Sequence, residues 1–414
     1  MKSRMGAAVA VWLLAAVYYF YQYSLRAAPV VMLPQLSQAF GLTAAGVASL
    51  VGLFYFGYAP FSLVAGTAID RLGARMVVPV GALMVGAGAL LFGTGNLTAA
   101  YIGRFLQGAG GVFALVGAVY IVGKQFPAAH GATLIGATQM FGASGGSAGQ
   151  FLVGPLIAGG LAWSSFWTGM GLTGFLIAAV LFLLLPKEKI THQSNWAKDS
   201  ATALGVVFKN PQSILCGAIA GLLFIPTTIL DMVWGVRFLQ EGHGFDYGEA
   251  VLRSATVPLG WMIGSPLMGL ISDKLGRRKP VLMGAGCVLL LCLAWILYGR
   301  PGAFPPYLIG FVAGVASGSA MLTYTIIKEV NPPEYGGTTT GAISLINFGI
   351  SAVAGPIFGS MMQSVSQGQT VGLVHYQMTF QYLLYGVALA IALTFVLKET
   401  GPAARVEASL AEAA

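Results

Sequence analysis

Four ionisable side chains interrupt the apolar segments of this chain: Arg26, Arg104, Asp231 and Arg253. A guanidinium offers a planar fork of donors that suits a carboxylate or phosphate better than a neutral sugar. Three cations against one anion leave a positive surplus, which favours an anion. Tyr19, Tyr23 and Arg26 are separated by four and three residues and fall on one helical face, where tyrosine supplies an apolar ring with a hydroxyl tip. Ordinary packing or an interfacial aromatic belt weighs more heavily on Tyr18 and Tyr21. Thr323, Tyr324 and Thr325 add hydroxyls later in the chain. The same carboxylate, Asp231, is the one candidate for taking up and releasing a proton, because burial raises and a nearby Arg lowers an acid's pKa.

Enzyme chemistry finds no footing. His130, His192, His243 and His375 form no ligand cluster, and Cys216, Cys287 and Cys292 have no metal or disulfide spacing. No metal, cofactor or catalytic nucleophile is expected. The three cysteines read as small packing residues.

The elements that must position these groups follow from composition. With 57% hydrophobic and 8% charged residues among 414, the chain lacks the charge to cover a soluble domain. A span needs roughly 20 mainly apolar residues, and in lipid a helix satisfies its own backbone. Helices are expected near 7–36, 43–66, 77–94, 99–123, 131–157 and 162–185. After a polar stretch they resume near 211–236, 248–271, 280–299, 304–328, 337–362 and 375–397. The expected fold class is an all-α membrane protein of twelve transmembrane helices. Its domains are a six-helix bundle over 1–185, a linker over 186–210, a second bundle over 211–398 and a tail over 399–414. The run after Met1-Lys2-Ser3-Arg4 resembles a secretory signal but is longer than a signal core, so it is read as an uncleaved first helix.

Basic residues set the orientation, since Lys and Arg in short loops mark the cytoplasmic face. Lys2, Arg4, Arg71, Arg75, Lys124, Lys187, Lys189, Lys198, Lys209, Lys274, Arg277, Arg278, Lys279, Lys328, Lys398 and Arg405 fall on one face, against Arg237 and Arg300 on the other. Both termini and the linker are thus expected to be cytoplasmic. The net charge of +8 is explained by topology, and no nucleic-acid partner is implied.

An internal repeat organises the whole. Gly66-Thr67-Ala68-Ile69-Asp70-Arg71-Leu72-Gly73-Ala74-Arg75 returns as Gly269-Leu270-Ile271-Ser272-Asp273-Lys274-Leu275-Gly276-Arg277-Arg278, an offset of 269 − 66 = 203 residues. Arg26 and Asp231 are approximate counterparts at 231 − 26 = 205. Both loops resemble the signature of the major facilitator superfamily, Gly-x-x-x-Asp-Arg/Lys-x-Gly-x-Arg/Lys, at Gly66, Asp70, Arg71, Gly73 and Arg75, and at Gly269, Asp273, Lys274, Gly276 and Arg278. Arg104 and Gly108 resemble the family's Arg-x-x-x-Gly motif. Gly154-Pro155-Leu156-Ile157-Ala158-Gly159-Gly160 is similar to the family's antiporter motif but carries one residue too many, which speaks against a drug exporter and for close helix packing.

The resemblance implies two pseudo-symmetric six-helix bundles working by alternating access. It implies a central path lined by the first, fourth, seventh and tenth helices, and a conformational gate at the two loops. Arg26, Tyr19, Tyr23, Arg104, Asp231, Tyr324 and Thr323 are then the substrate-binding candidates. Asp70 is suited to a neighbouring helix N-terminus, whose dipole favours negative charge. Two structural readings stand beside these: Arg104 as a donor to helix-breaking carbonyls, and Arg26 with Asp231 as an ion pair closing an outer gate. Arg253 is read as structural or interfacial, and Lys124 and Lys328, offset by 328 − 124 = 204, as snorkelling anchors.

The functional expectation is a secondary transporter, monomeric in the bacterial inner membrane, for a small carboxylate-bearing solute, with proton coupling an open option. An amino-acid or nucleoside permease, to whose first helix Phe20–Pro29 is similar, an anion exchanger, a drug or siderophore exporter and a non-transporting membrane sensor are the alternatives.

Overall fold

The computed structural model describes residues 2–42, 44–187, 196–302, 305, 307–367 and 369–403, and among these there is no strand. The centre of the expected linker, 188–195, and the tail over 404–414, with Lys189, His192 and Arg405, lie outside the described residues. The chain divides into two compact units. The first comprises Met1–Pro127, Phe141–Asn210 and Asn331–Leu345; the second comprises Ala128–Met140, Pro211–Val330 and Ile346–Ala414.

The helices are α1 (Lys2–Ala27), α2 (Leu33–Phe40), α3 (Ala44–Leu72), α4 (Ala74–Gly93), α5 (Leu97–Gln125), α6 (Gly131–Phe151), α7 (Val153–Ala158), α8 (Trp163–Leu184) and α9 (Trp196–Lys209). They continue as α10 (Pro211–Ile225), α11 (Gly235–Arg237), α12 (Tyr247–Leu275), α13 (Lys279–Tyr298), α14 (Leu308–Ser317), α15 (Leu322–Glu329), α16 (Gly336–Ser366) and α17 (Leu373–Val396). Among the described residues, eleven helical stretches are long and apolar enough to cross a membrane. The twelfth expected span is α6 with α7. It escapes a hydropathy criterion because α6, GATLIGATQMFGASGGSAGQF, spends its composition on small residues that admit α1: a Cβ on Gly145 or Gly149 would strike the carbonyl of Phe20 or Ser24.

Proline explains where expected helices break. The expected span 7–36 is interrupted, because α1 ends at Ala27 and a 3-10 turn, Ala28–Met32, precedes α2. Pro29 has no N–H for the Leu25 carbonyl and restricts Ala28. Pro155 likewise sits at the α6–α7 break. At Pro226 the expected seventh span leaves α-helical register for a π-helix over Pro226–Trp234, and a second π segment covers Phe238–Gly242. A π register in a helix is frequently associated with a functional site.

In the first unit α5 is the hub, buried without a break from Gln107 to Val122. Glycines bring its neighbours to backbone contact, since a Cβ on Gly108 would enter the Phe54 carbonyl and one on Gly110 the Gly81 carbonyl. In the second unit α12 and α14 meet the same way, through Gly260 against the Phe311 carbonyl and Gly314 against the Val257 carbonyl. Without hydrophobic attraction between helices in lipid, this close packing is what binds them.

Gly108→Ala therefore forces α5 and α3 apart, and overpacking of this kind costs about 1–3 kcal/mol. Thermal unfolding in detergent should show a melting point lowered by several degrees. Gly284→Ala in α13, where an added Cβ meets nothing within 4 Å, should leave it unchanged or slightly raised, as helix propensity favours Ala by about 1 kcal/mol.

Candidate substrate and gating sites

The guanidinium of Arg104 is fully buried and donates to four acceptors. Its Nη1 bonds the Leu25 carbonyl at 3.1 Å and Gln107 Oε1 at 2.7 Å, its Nη2 the Arg26 carbonyl at 3.1 Å and its Nε the Val51 carbonyl at 3.3 Å. Pro29 leaves the Leu25 carbonyl without its helical donor, and Arg104 replaces it. The guanidinium also lies 5.1 Å from the Phe54 ring centre. In this arrangement Arg104 caps the end of α1 and fixes the backbone that carries Arg26.

Arg26 is 8% exposed. Its Nη2 donates to the Tyr55 hydroxyl at 2.7 Å, and its Cζ stands 4.8, 4.9 and 5.7 Å from the ring centres of Tyr23, Tyr55 and Phe54. Aromatic faces stabilise a guanidinium without cancelling its charge. Tyr19 packs edge-on against Tyr23, with ring centres 4.9 Å apart, and rests on Gly142 of α6. Arg26, Tyr23, Tyr19 and Arg104 thus form one cluster in the first unit. Tyr18 and Tyr21 face elsewhere, donating to the Gly110 carbonyl at 2.8 Å and the Met170 carbonyl at 2.7 Å. Sequence reasoning missed Phe54, Tyr55 and Gln107. A Tyr in an apolar helix carries no distinguishing signal, whereas Gln107, one turn from Arg104, was a visible polar interruption.

In the second unit Asp231 lies on the π segment. Its Oδ1 accepts the Ser254 hydroxyl at 2.8 Å, and it faces a cavity walled by Leu230, Val257, Leu293, Ile309 and Ala313, with Arg253 and His243 also on the lining. Arg253 is engaged with Glu249 at 2.6 Å and lies 4.1 Å over the Phe245 ring. Burial, and then the charge of Arg253, lower the pKa of His243, so it is neutral at pH 7. Thr323 and Tyr324 stand apart from this cavity. The Thr323 hydroxyl donates to the Ala320 carbonyl of the 3-10 segment before α15 at 2.6 Å, and the Tyr324 hydroxyl accepts from Asn347 Nδ2 at 3.3 Å.

The two signature loops each seat an aspartate on a helix start. Asp70 Oδ1 accepts the Gly337 N–H at 2.6 Å, while its Oδ2 accepts the Thr338 N–H at 2.6 Å and the Thr338 hydroxyl at 2.7 Å. Asp273 Oδ2 accepts the Thr133 N–H at 2.9 Å and hydroxyl at 2.8 Å. These are the unpaired donors at the N-termini of α16 and α6, where the dipole also favours an anion. Gly66 and Gly269 make the approach possible, for a Cβ would strike the Gly337 and Ala132 carbonyls. Gly73 and Gly276 hold φ of 73° and 65°, which glycine adopts without strain. Arg71 is half-buried and Lys274 exposed.

The last basic positions differ. Arg278, fully buried, bonds Asp273 at 2.6 Å and Glu329 at 2.9 Å. Burial disfavours its charge, but Glu329 and Asp273 outweigh that and raise its pKa. Arg75 instead donates to the Leu185 carbonyl at 3.1 Å and lies 5.3 Å from the Phe182 ring centre. The threonine partners were legible through the repeat, since 338 − 133 = 205.

A double-mutant cycle tests the aspartate seat. Asp70→Asn and Thr338→Ala should each lower thermal stability. Their combined effect should fall short of the sum by about 1–3 kcal/mol, because the charge-assisted bond of the Thr338 hydroxyl to Asp70, lost by either change, cannot be lost again. Additive effects would show that this hydroxyl bond contributes nothing.

Comparison with known proteins agrees with this architecture. The profile of the Major Facilitator Superfamily matches residues 11–356. The hexuronate transporter of Bacillus subtilis is 27% identical over 91% of this chain and 85% of its own length. The probable sulfoacetate transporter SauU of Cupriavidus necator is 23% identical over 88% and 89%. Among solved structures, that of the transporter FucP in the outward conformation superposes with a TM-score of 0.71 at 16% identity, covering 95% of this chain and 99% of that one. With the family profile spanning most of its length and a helical, multi-pass structure to match, the chain belongs to the major facilitator superfamily.

Proposed function

We propose that the protein carries a small carboxylate-bearing solute across the bacterial inner membrane by alternating access, with Arg26 holding the carboxylate. The observation that carries this reading is the setting of Arg26. Its guanidinium is held among three aromatic rings and one tyrosine hydroxyl, while Arg104 fixes the backbone behind it. A cation kept in lipid depth on soft aromatic faces is a functional-site candidate. Tyr19 and Tyr23 shape the apolar side of the site, and Arg104 positions it. Both curated relatives are named for solutes that are anions at neutral pH, which supports the charge of the cargo. Asp70 and Asp273, with their loops, act as the gate, and the distribution of basic residues supports cytoplasmic termini.

Counterflow in proteoliposomes tests the class of cargo. Labelled glucuronate or sulfoacetate should exchange and fucose should not. Arg26→Gln should lower anion exchange by about 10- to 100-fold, the equivalent of losing a charged hydrogen bond of about 1.5–3 kcal/mol. Exchange of fucose without the anions would overturn the reading, and binding without exchange would favour a sensor.

A second reading concerns coupling. Among the described residues no cation lies within 4 Å of the Asp231 carboxylate, so a proton can neutralise it. Anion uptake driven by an inward proton gradient should become gradient-independent in Asp231→Asn. Gradient-independent uptake in the unaltered protein would remove the proton role.

A further inference from the structure

The cavity of the second unit has a composition that the handling of an anion does not explain. Its walls come from the π segment, α12, α13 and α14 and include Leu230, Val257, Leu289, Leu293, Ile309 and Ala313. One carboxylate, Asp231, opens onto them. Ser254 is the single hydrogen-bonding side chain on that carboxylate among the described residues, and it occupies Oδ1. The other charged groups on the lining do not neutralise it. Arg253 places Nε and Nη2 on Glu249 at 3.0 and 2.6 Å, and His243 is neutral at pH 7 because burial and Arg253 lower its pKa. Thr227 is engaged as well, accepting the Trp261 indole N–H at 3.0 Å and meeting Ser317 Oγ at 3.2 Å.

These features select among ligand types. An anion would face Asp231 across a low-dielectric space and be repelled. A wholly apolar molecule would fill the walls but leave Asp231 Oδ2 without water or partner, which is costly. A bare metal ion would need several oxygen donors, and the walls are hydrocarbon. An ammonium on an apolar body satisfies both parts: the charge pairs with Asp231 Oδ2, and the body buries apolar surface worth about 25 cal/mol per Å². Pockets of this kind, mostly apolar with a few convergent polar groups, are the usual form of small-molecule sites.

We propose that this cavity binds a small organic ammonium with an apolar body, seated on Asp231 and Ser254 and walled by Leu230, Val257, Leu293 and Ile309. The site lies wholly in the second unit and is independent of the Arg26 site. Its ligand ties the π segment to α12, α13 and α14.

The test is thermal unfolding of the full-length protein in detergent with 2-phenylethylammonium, 2-phenylethanol or phenylacetate, three probes that share a ring and differ in charge. The ammonium should raise the melting point by several degrees at a concentration well above its Kd, since a ligand of the folded state stabilises by mass action. It should bind at least 10-fold more tightly than the alcohol, and phenylacetate should give no shift through this cavity. Asp231→Asn should abolish the preference for the ammonium over the alcohol. Leu293→Trp, which fills the space without touching the charge, should weaken both probes and decides the matter if Asp231→Asn does not fold. Arg26→Gln should leave ammonium binding unchanged while impairing anion exchange, so failure of the carboxylate reading and failure of this one are told apart. Equal shifts for ammonium and alcohol, no shift for either, or an ammonium shift that survives Asp231→Asn or Leu293→Trp would overturn the proposal.

Discussion

A charge drawn out of water must find its partners within the protein, and in this chain the ends of helices supply them. Arg104 finds its acceptors at the C-terminal end of α1, where Pro29 has stripped a carbonyl of its helical donor. Asp70 and Asp273 find their donors at the opposite kind of end, the N-termini of α16 and α6. Each pairing satisfies two liabilities together, a desolvated side-chain charge and a backbone group that the helix cannot satisfy itself. The alternative, an unpaired buried ion, costs several kcal/mol. The constraint therefore reaches beyond the charged residue to the helix end opposite it.

Much of this could be read without coordinates. Composition and apolar runs supplied the membrane and the span count, and the duplicated loop supplied the family. Even α6, too rich in small and polar residues to stand out by hydropathy, was expected as part of the span near 131–157. The course of the first and seventh spans was less legible. Each was read as a continuous α-helix although Pro29 and Pro226 lie in them, because a proline inside an apolar run signals a kink or an end without saying which. The outcome is decided by what neighbours offer: Arg104 stabilises a true end at Ala27, whereas at Pro226 the chain continues in π register.

The aromatic setting of Arg26 was half visible. Helical spacing brought Tyr19 and Tyr23 to its face, and both lie there. Phe54 and Tyr55 come from α3, and nothing local in that apolar helix distinguishes them from lipid-facing or packing aromatics. The glycines of α5 are the missing information. Gly108 lets α3 approach until the Phe54 carbonyl is in contact, and that approach carries the neighbouring rings to the guanidinium. Close packing is a tertiary fact that a small residue permits and does not announce.

The repeat also shows how equal motifs acquire unequal strength. Arg75 and Arg278 are counterparts by 278 − 75 = 203, yet Arg278 is locked between Asp273 and Glu329 while Arg75 turns to the Leu185 carbonyl. The difference lies one residue beyond the paired lysines: Glu329 follows Lys328, and its counterpart after Lys124 is the uncharged Gln125. A buried guanidinium needs carboxylates on more than one side to offset its desolvation, and in the first half a single aspartate, already saturated by Gly337 and Thr338, is all the motif provides. The second loop is fastened further by Glu399, which accepts the N–H groups of Arg278 at 2.8 Å and Lys279 at 3.3 Å at the start of α13. The second seat is thus a closed ionic network, and the first a helix-terminus contact with the charge of Lys124 nearby. In a family that works by alternating states, a bond to two N–H groups and one hydroxyl can be made and broken with less reorganisation than a buried ion network.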